Sequence, residues 1–467
     1  MGFGIAAAVF IACDNAPTAQ PPSLLLITID TLRSDHLAGA GLDNTPVLAA
    51  LSKKGTRFTW AFSAAPTTAP SHVSLLTGKY PGFHTVGTRN GEQKLHDSAQ
   101  TLAEALQQNG YRTAAILSNP MLKKRLGLDQ GFDSYDDDMQ GAELNRGVSE
   151  QYADRAIDKA VAWLEAKPSG PFFLWLHLQD PHGPYDPPEG TRCTSPLASD
   201  SDTATLTVGD THLGEGEIPA YQAIQGIRDV ATYKHRYACE LAYLDAELGR
   251  FIRLLESKED TDNLLTIITS DHGEAMGEDG FWFAHGHSIG VDQVHVPLIA
   301  IGPGFPANRT VEVPVSNVAT FATALDVLGI SASASGASDL VGPSLAAIAR
   351  SGADARNEAI FVESVSQVGV IQDGVFLRRD RQLDDAFWAQ PIGDSGGTRK
   401  RGGEHIVALE DSRASEAAAS REVLSHKLIA YVGRVGEVEA TISLLREAAS
   451  ALSSEEEDAL RALGYLE

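Results

Sequence analysis

The sequence predicts an α/β fold: a large, doubly wound, mostly parallel sheet flanked by helices, with a smaller C-terminal α+β subdomain. Apolar runs such as Ser23–Ile29 and Phe172–Leu178 lack polar alternation, as expected of strands buried on both faces of a parallel sheet. Between residues 23 and 330 these runs alternate with helical stretches, the order that builds crossover units. After the small-residue-rich Ser331 to Gly342, short runs at Ile360, Gly369 and Gly374 suggest a second, small sheet. Three segments follow: a leader and tether over 1–22, a main domain over 23–330, and a linker with a smaller subdomain over 331–467.

With 467 residues and 43% hydrophobic content, the chain can bury a large core. Its formal charge of −25 argues against nucleic acid or an anionic membrane surface as partner. An anionic substrate would need a local cation, most simply a metal ion, to reverse that field. Only three cysteines occur, which excludes a disulfide framework or a zinc–thiolate cluster. Cys193 and Cys239 keep two readings, paired in an oxidising compartment or free. The first twelve residues form an apolar stretch too short to span a bilayer, as in a secretory signal. Phe10-Ile11-Ala12-Cys13 is similar to a bacterial lipobox, though no basic segment precedes it and Phe10 stands where leucine is usual. The expectation is an exported chain, lipid-anchored in the bacterial envelope through Cys13 and tethered by the Pro-rich residues 15–22.

The first strand, Ser23–Ile29, ends at Asp30, and ligands collect at the carboxyl ends of strands in open α/β sheets. A helix follows with Thr45 as cap, Pro46 at its first position and Gly55 past its end. In Thr67-Thr68-Ala69-Pro70-Ser71-His72, Pro70 suits a first helical turn, and Gly78 is placed to stop a short helix. Thr68 then stands at a helix N-terminus, where free N–H groups and the dipole favour an anion. It is read either as an ordinary N-cap or as a nucleophile. A glycine-closed helix over 101–110, a strand over 111–117 ending at Ser118-Asn119, a helix over 147–166 and the strand Phe172–Leu178 come next. That strand runs into Asp180-Pro181-His182. Residues 189–217 form a long polar loop, 222–257 a long helix, 264–268 a strand ending at Asp271-His272, 294–301 a strand and 315–328 a helix. The final helix carries Leu460, Leu463 and Tyr465.

Four strands thus deliver Asp30, Asn119, Asp180 with His182, and Asp271 with His272 to one edge, which is the pattern of an active site. Asp and His suit Mg²⁺, Mn²⁺, Ca²⁺ or Zn²⁺. A divalent ion held by Asp30, Asp271 and His272, and touching Thr68, would acidify that hydroxyl and neutralise substrate charge. One ion is expected rather than two, because Asp180 and His182 stand only two residues apart and His285 and His287 are the sole later candidates. His36 and His84 read as structural, and Arg33 with Asp35 as a buried structural pair.

Ile29-Asp30-Thr31-Leu32-Arg33, Thr68-Ala-Pro70-Ser71-His72 with Leu76-Thr77-Gly78-Lys79, Asp180-Pro-His182-Gly-Pro-Tyr185, and Asp271-His272-Gly273-Glu274 with His285-Gly286 together resemble the sulfatase family of the alkaline-phosphatase-like superfamily. The order of these motifs holds from residue 23 to Ala462-Leu463-Gly464-Tyr465-Leu466. The resemblance implies a catalytic domain over 23–330 and a hydrolase of sulfate or phosphate/phosphonate esters. It places the metal on Asp30, Asp271 and His272, and the nucleophile at Thr68. His182 would bind the transferring group or protonate the leaving oxygen, with His285 or Lys79 as further anion contacts. The chain departs from the family in having Thr31 where many members carry a second aspartate, and His72, itself a catalytic candidate by its place in the motif, where the signature has arginine, which removes a fixed cation. The third departure is Thr68 itself, whose Cβ methyl bars conversion to formylglycine. A threonine alkoxide suits attack on phosphorus, so the chemistry leans toward phosphoryl transfer while the motif says sulfatase. The substrate would be a sulfate or phosphate ester carried by a small molecule, a glycan or a lipid. The alternatives are a headgroup transferase of the cell envelope and a non-catalytic metal- or anion-binding homologue.

Overall fold

The computed structural model describes residues 20–437, except 38, 88–93, 143–144, 146–148, 167–169, 195–203, 211–213, 259–260, 332–341, 352–357, 382–386 and 392–422. The lipobox, most of the expected 331–342 linker and the final helix around Leu460 lie outside these residues. The main sheet contains β1 (Ser23–Ile29), β2 (Thr56–Phe62), β3 (Arg112–Ile116), β4 (Ser134–Asp136), β5 (Phe172–Leu178), β6 (Leu264–Ser270), β7 (His295–Ile301) and β8 (Arg309–Val311). Their spatial order is β8-β2-β7-β6-β1-β5-β3-β4, with the two-residue strand Val315–Ser316 also on β2. Within the run β6-β1-β5-β3-β4 every pairing is parallel. Leu24 and Leu26 of β1 enter the core on one face, while Leu25, Ile27 and Ile29 enter that on the other. Burial on both faces explains the unbroken apolar run.

Only β7 is reversed, pairing antiparallel with both β6 and β2. The chain between β6 and β7 holds a hairpin, Ala275–Met276 with Trp282–Ala284, and no crossover helix, so β7 returns alongside β6 in the opposite sense. The strand β2 escaped the sequence reading, although Phe58, Trp60 and Phe62 alternate with polar or small neighbours. The helices start later than predicted: the predicted 147–166 is Ala153–Ala166, 222–257 is Val230–Lys258, and 315–328 is Thr320–Leu328. The helix Leu102–Gln108 opens with a full capping box between Thr101 and Glu104. Cys193 and Cys239 are joined as a disulfide, their Cα atoms 4.9 Å apart, which ties the 187–194 loop to the Val230–Lys258 helix.

The C-terminal part forms a four-stranded antiparallel sheet, Ile360–Glu363, Gln367–Gln372, Val375–Asp380 and Phe387–Pro391. Helix 423–437 packs on it through Leu424, Leu428, Tyr431 and Val435. Buried Glu363 accepts hydrogen bonds from Tyr431 and from the Gly82 N–H, the latter at 2.8 Å. The second sheet is thereby fastened to the single turn Pro81–His84, close behind the helix that bears Thr68.

His84 in that turn is structural, as expected. Its Nδ1 accepts the Val86 N–H at 3.2 Å, so its Nε2–H donates to Ser74 Oγ at 2.9 Å. Burial holds its pKa down, to about 3. A histidine neutral in the folded state and ordinary when unfolded contributes fully above about pH 6.5 and loses that contribution as pH falls toward 3. We expect the acid-side loss of stability to be shallower in His84→Gln, by up to about 1.4 kcal/mol per pH unit below pH 6.5. Parallel slopes for the two proteins in urea unfolding between pH 6.5 and 4 would contradict this.

Candidate active site

Adjacent strands β6, β1, β5 and β3 end at Asp271, Asp30, Asp180 and Asn119, so one sheet edge gathers residues spread over more than two hundred positions. Ligand sites belong at such carboxyl ends. A fifth element, α1 (Thr68–Thr77), brings the hydroxyl. Its N-cap is Thr67 rather than Thr68, and Gly78 closes it in the left-handed region at φ 66°. Thr68 is therefore the first helical residue, with the unpaired N–H groups of the first turn beside it. Ser71 Oγ donates to the Asp271 carbonyl at 2.6 Å, pinning this turn to the end of β6.

Three fully buried side chains converge there. His272 Nε2 lies 3.6 Å from Asp30 Oδ1, 3.4 Å from Asp271 Oδ2 and 3.4 Å from Thr68 Oγ1. His272 Nδ1 is 2.9 Å from the Gly273 carbonyl, which can only accept; Nδ1 carries the proton and Nε2 presents its lone pair. Asp271 Oδ1 accepts from the N–H groups of His272, at 2.9 Å, and Thr31, at 3.3 Å. The other oxygens, Asp30 Oδ1 and Asp271 Oδ2, are buried without hydrogen-bond partners. Burial and the Asp30 carboxylate push the Asp271 pKa up. For His272 burial acts downward, but Asp271 and Asp30 outweigh it and raise the pKa. Two orphaned carboxylate oxygens and one imidazole lone pair around a common point fit a divalent cation. All three donor atoms lie within 4.8 Å of one another.

Thr31 adopts φ 54°, a left-handed conformation costly for a β-branched residue. Its N–H on Asp271 and its carbonyl, which accepts the Tyr237 hydroxyl at 2.8 Å, hold it there. Arg33 pairs with Asp35 at 2.7 Å, as expected, and also with Glu278 at 2.8 Å, although Asp35 itself is exposed.

The remaining predicted residues divide. The His285 ring lies tilted 4.3 Å from the His272 ring, and His182 lies 5.2 Å from His285, edge-on. Both belong to the site. His72 does not serve as an anion contact: its imidazole is fully buried behind Thr68. Its Nδ1–H donates to the Thr68 carbonyl at 2.8 Å, and its Nε2 accepts from Thr28 Oγ1 at 3.1 Å. Burial lowers its pKa to about 3, so no cation replaces the family's arginine. Lys79 is also displaced. It follows the C-cap at the far end of a ten-residue helix, about 16 Å along the axis from Thr68. His287 stacks on Phe281 at 3.8 Å and accepts from Gln293 at 2.8 Å, as a loop residue held in place.

Two residues had received no role from the sequence. Glu274, fully buried, accepts from His285 Nδ1 at 3.1 Å and from the Tyr185 hydroxyl at 3.2 Å. Burial raises its pKa to about 8. The pairing orients His285 so that Nε2 is its proton-transfer atom. His177 sits on β5, fully buried, inside an apolar run that hid it.

A family profile described as Sulfatase matches residues 22–330. The chain is 27% identical over 365 residues to a choline-sulfatase from Rhizobium meliloti, covering 67% of this chain and 69% of that protein. A solved structure of a protein in complex with its substrate D-glucosamine-2-N,6-O-disulfate superposes with a TM-score of 0.66 at 20% identity, over 90% of this chain and 99% of the other. A phosphonate monoester hydrolase from Silicibacter pomeroyi gives a TM-score of 0.66 at 19% identity, over 87% of this chain and 95% of the other.

Proposed function

We propose a function from one premise: this chain belongs to the sulfatase family. It is a metal-dependent hydrolase of sulfate or phosphate/phosphonate esters with Thr68 as nucleophile, and phosphate and phosphonate esters are its better substrates. The observation that carries this reading is Thr68 Oγ1 at 3.4 Å from the bare Nε2 of His272, among the orphaned oxygens of Asp30 and Asp271. Asp30, Asp271 and His272 would hold a divalent ion, whose positive charge would acidify the Thr68 hydroxyl and neutralise the anionic ester.

Thr68 Oγ1, its proton released to solvent as the hydroxyl ionises, attacks the phosphorus as an alkoxide, forming the Oγ–P bond as the bond to the leaving alkoxide breaks. His285, oriented by Glu274, donates its Nε2 proton to that alkoxide, and His182 beside it binds the transferring group. Water then attacks the phosphothreonine, giving one proton back to His285 as the Oγ–P bond breaks and Thr68 leaves as the alkoxide. The first-turn N–H groups of α1 add donors for the anion. With His72 buried and neutral and Lys79 at the far end of α1, His182 and His285 bind the anion alongside the charge a metal would supply. Sulfur is the poorer target because Thr68 cannot become formylglycine.

The test is a panel of aryl sulfate, phosphate monoester, phosphodiester and phosphonate monoester, with metal supplied or chelated. Metal-dependent turnover of the phosphodiester or phosphonate is expected. Turnover confined to the sulfate, or complete inactivity of metal-loaded protein, overturns the reading. Glu274→Gln keeps an acceptor for His285 but can no longer ionise to stabilise the imidazolium that forms during turnover. It is expected to lower kcat by about 10²-fold with little change in KM; an unchanged kcat removes Glu274 from the mechanism.

The chain is further proposed to be exported and lipid-anchored at Cys13, with 23–330 as its catalytic domain. The Cys193–Cys239 disulfide supports an oxidising compartment. No described helix is long and apolar enough to cross a membrane. Cys13→Ala is expected to move the protein from the membrane fraction to the soluble one; an unmoved distribution counts against the anchor.

A further inference from the structure

Behind the metal-ligand set lies a second layer that the mechanism above leaves unused. Asp30 presents Oδ1 toward His272, and its other oxygen, Oδ2, accepts the Asn119 amide at 2.6 Å. The orientation of that amide is fixed, since Asn119 Oδ1 accepts the Met121 N–H at 2.8 Å. His177 Nε2 faces the same Oδ2 at 3.5 Å. Both ring nitrogens of His177 are buried without a hydrogen-bond partner. An imidazole so placed costs stability and calls for a reason.

One reason would be a second metal ion, because His72, His177 and Asp271 also bring ligand atoms within 4.8 Å. The proton inventory speaks against it. His72 Nδ1–H is committed to the Thr68 carbonyl and Nε2 to the Thr28 hydroxyl, which itself accepts Trp175 Nε1–H at 3.0 Å. His72 therefore has no lone pair to offer. What remains for His177 is its Nε2–H, which faces Asp30 Oδ2 at 3.5 Å.

We propose that Asn119 and His177 form a two-donor clamp on Asp30 Oδ2 that makes Asp30 a one-oxygen ligand to the metal. Resting on the metal reading above, the clamp assigns two positioning residues to it. Held by two donors, Oδ2 is withdrawn from the cation, and Oδ1 keeps the direction shared with Asp271 Oδ2 and His272 Nε2. Outer-layer donors of this kind set the orientation of a ligating carboxylate. The strand geometry supports the pairing: Thr28, two residues before Asp30, lies opposite His177 in the β1–β5 register.

The experiment is calorimetric titration of the full-length apoprotein with Mn²⁺ or Zn²⁺ for wild type, Asn119→Ala, His177→Leu, His177→Gln, the Asn119→Ala/His177→Leu double variant and Asp271→Asn. Circular dichroism confirms that each is folded. Affinity is expected to fall about 10- to 100-fold in Asn119→Ala and in His177→Leu, with a stoichiometry of one throughout. His177→Gln, which keeps a donor, is expected to recover most of the loss. The double variant should lose less than the product of the single losses, since both donors act on one oxygen. Unchanged affinity in Asn119→Ala and His177→Leu alone overturns the clamp. A wild-type stoichiometry of two that drops to one in His177→Leu overturns it in favour of a second metal. Unchanged affinity in Asp271→Asn as well overturns the metal reading itself, and the clamp with it.

Discussion

Thr68→Ala is expected to abolish hydrolysis, with kcat falling by at least about 10⁴-fold, while metal binding persists. Loss of this size follows from removing the atom that forms the covalent bond, which no neighbour replaces. His72 cannot stand in, being buried with both nitrogens engaged, and Ser71 Oγ is spent on the Asp271 carbonyl. Thr68→Ser keeps the hydroxyl at the first residue of α1 and is expected to retain turnover. Acid quench of wild type during turnover of a phosphodiester should leave a phosphoryl group on the peptide containing Thr68, detectable by mass spectrometry. Activity in Thr68→Ala within about 10-fold of wild type, about 1.4 kcal/mol in the barrier, would exclude the threonine nucleophile.

Asp271→Asn carries the second large effect, and its sign depends on the metal. Without metal, Asp30 and Asp271 are like charges held in a buried site with an oxygen each unpaired. Removing one charge is expected to leave the apoprotein as stable as wild type or more so. With metal the order reverses. Wild type gains about 2.7 kcal/mol at a hundredfold excess over Kd, and Asp271→Asn gains little because one of its two anionic ligands is gone. Hydrolysis should fall below detection in the variant. Melting curves with and without metal check both halves; an equal metal-induced shift in the two proteins would show that Asp271 is not a ligand.

Much of this site was legible in the sequence because a parallel strand announces itself and its end is a fixed address. The runs Ser23–Ile29 and Leu264–Ser270 placed Asp30 and Asp271 at one edge without any knowledge of strand order. Thr68 was legible for a local reason as well, since Pro70 and Gly78 bracket a short helix. The residues that sequence reasoning misplaced all depend on direction. His72 looked like a catalytic candidate through its place in the motif, yet it lies one helical turn from Thr68 and turns inward, donating to the Thr68 carbonyl. Lys79 looked adjacent through its place in a motif, but a helix carries neighbours in sequence away from one another at 1.5 Å per residue. His177 was invisible because in a strand buried on both faces a polar residue breaks no pattern that periodicity can detect.

By itself, then, the sequence determined the α/β class, the family's motifs and the candidate metal ligands, for these rest on local hydrophobic pattern and on residue chemistry. Tertiary structure alone decided the reversal of β7, the burial of His72, the pairing of Glu274 with His285 and the convergence of Asn119 and His177 on one oxygen of Asp30. Those are contacts between residues far apart in the chain. Their geometry is set by sheet order and side-chain direction, neither of which a linear pattern encodes.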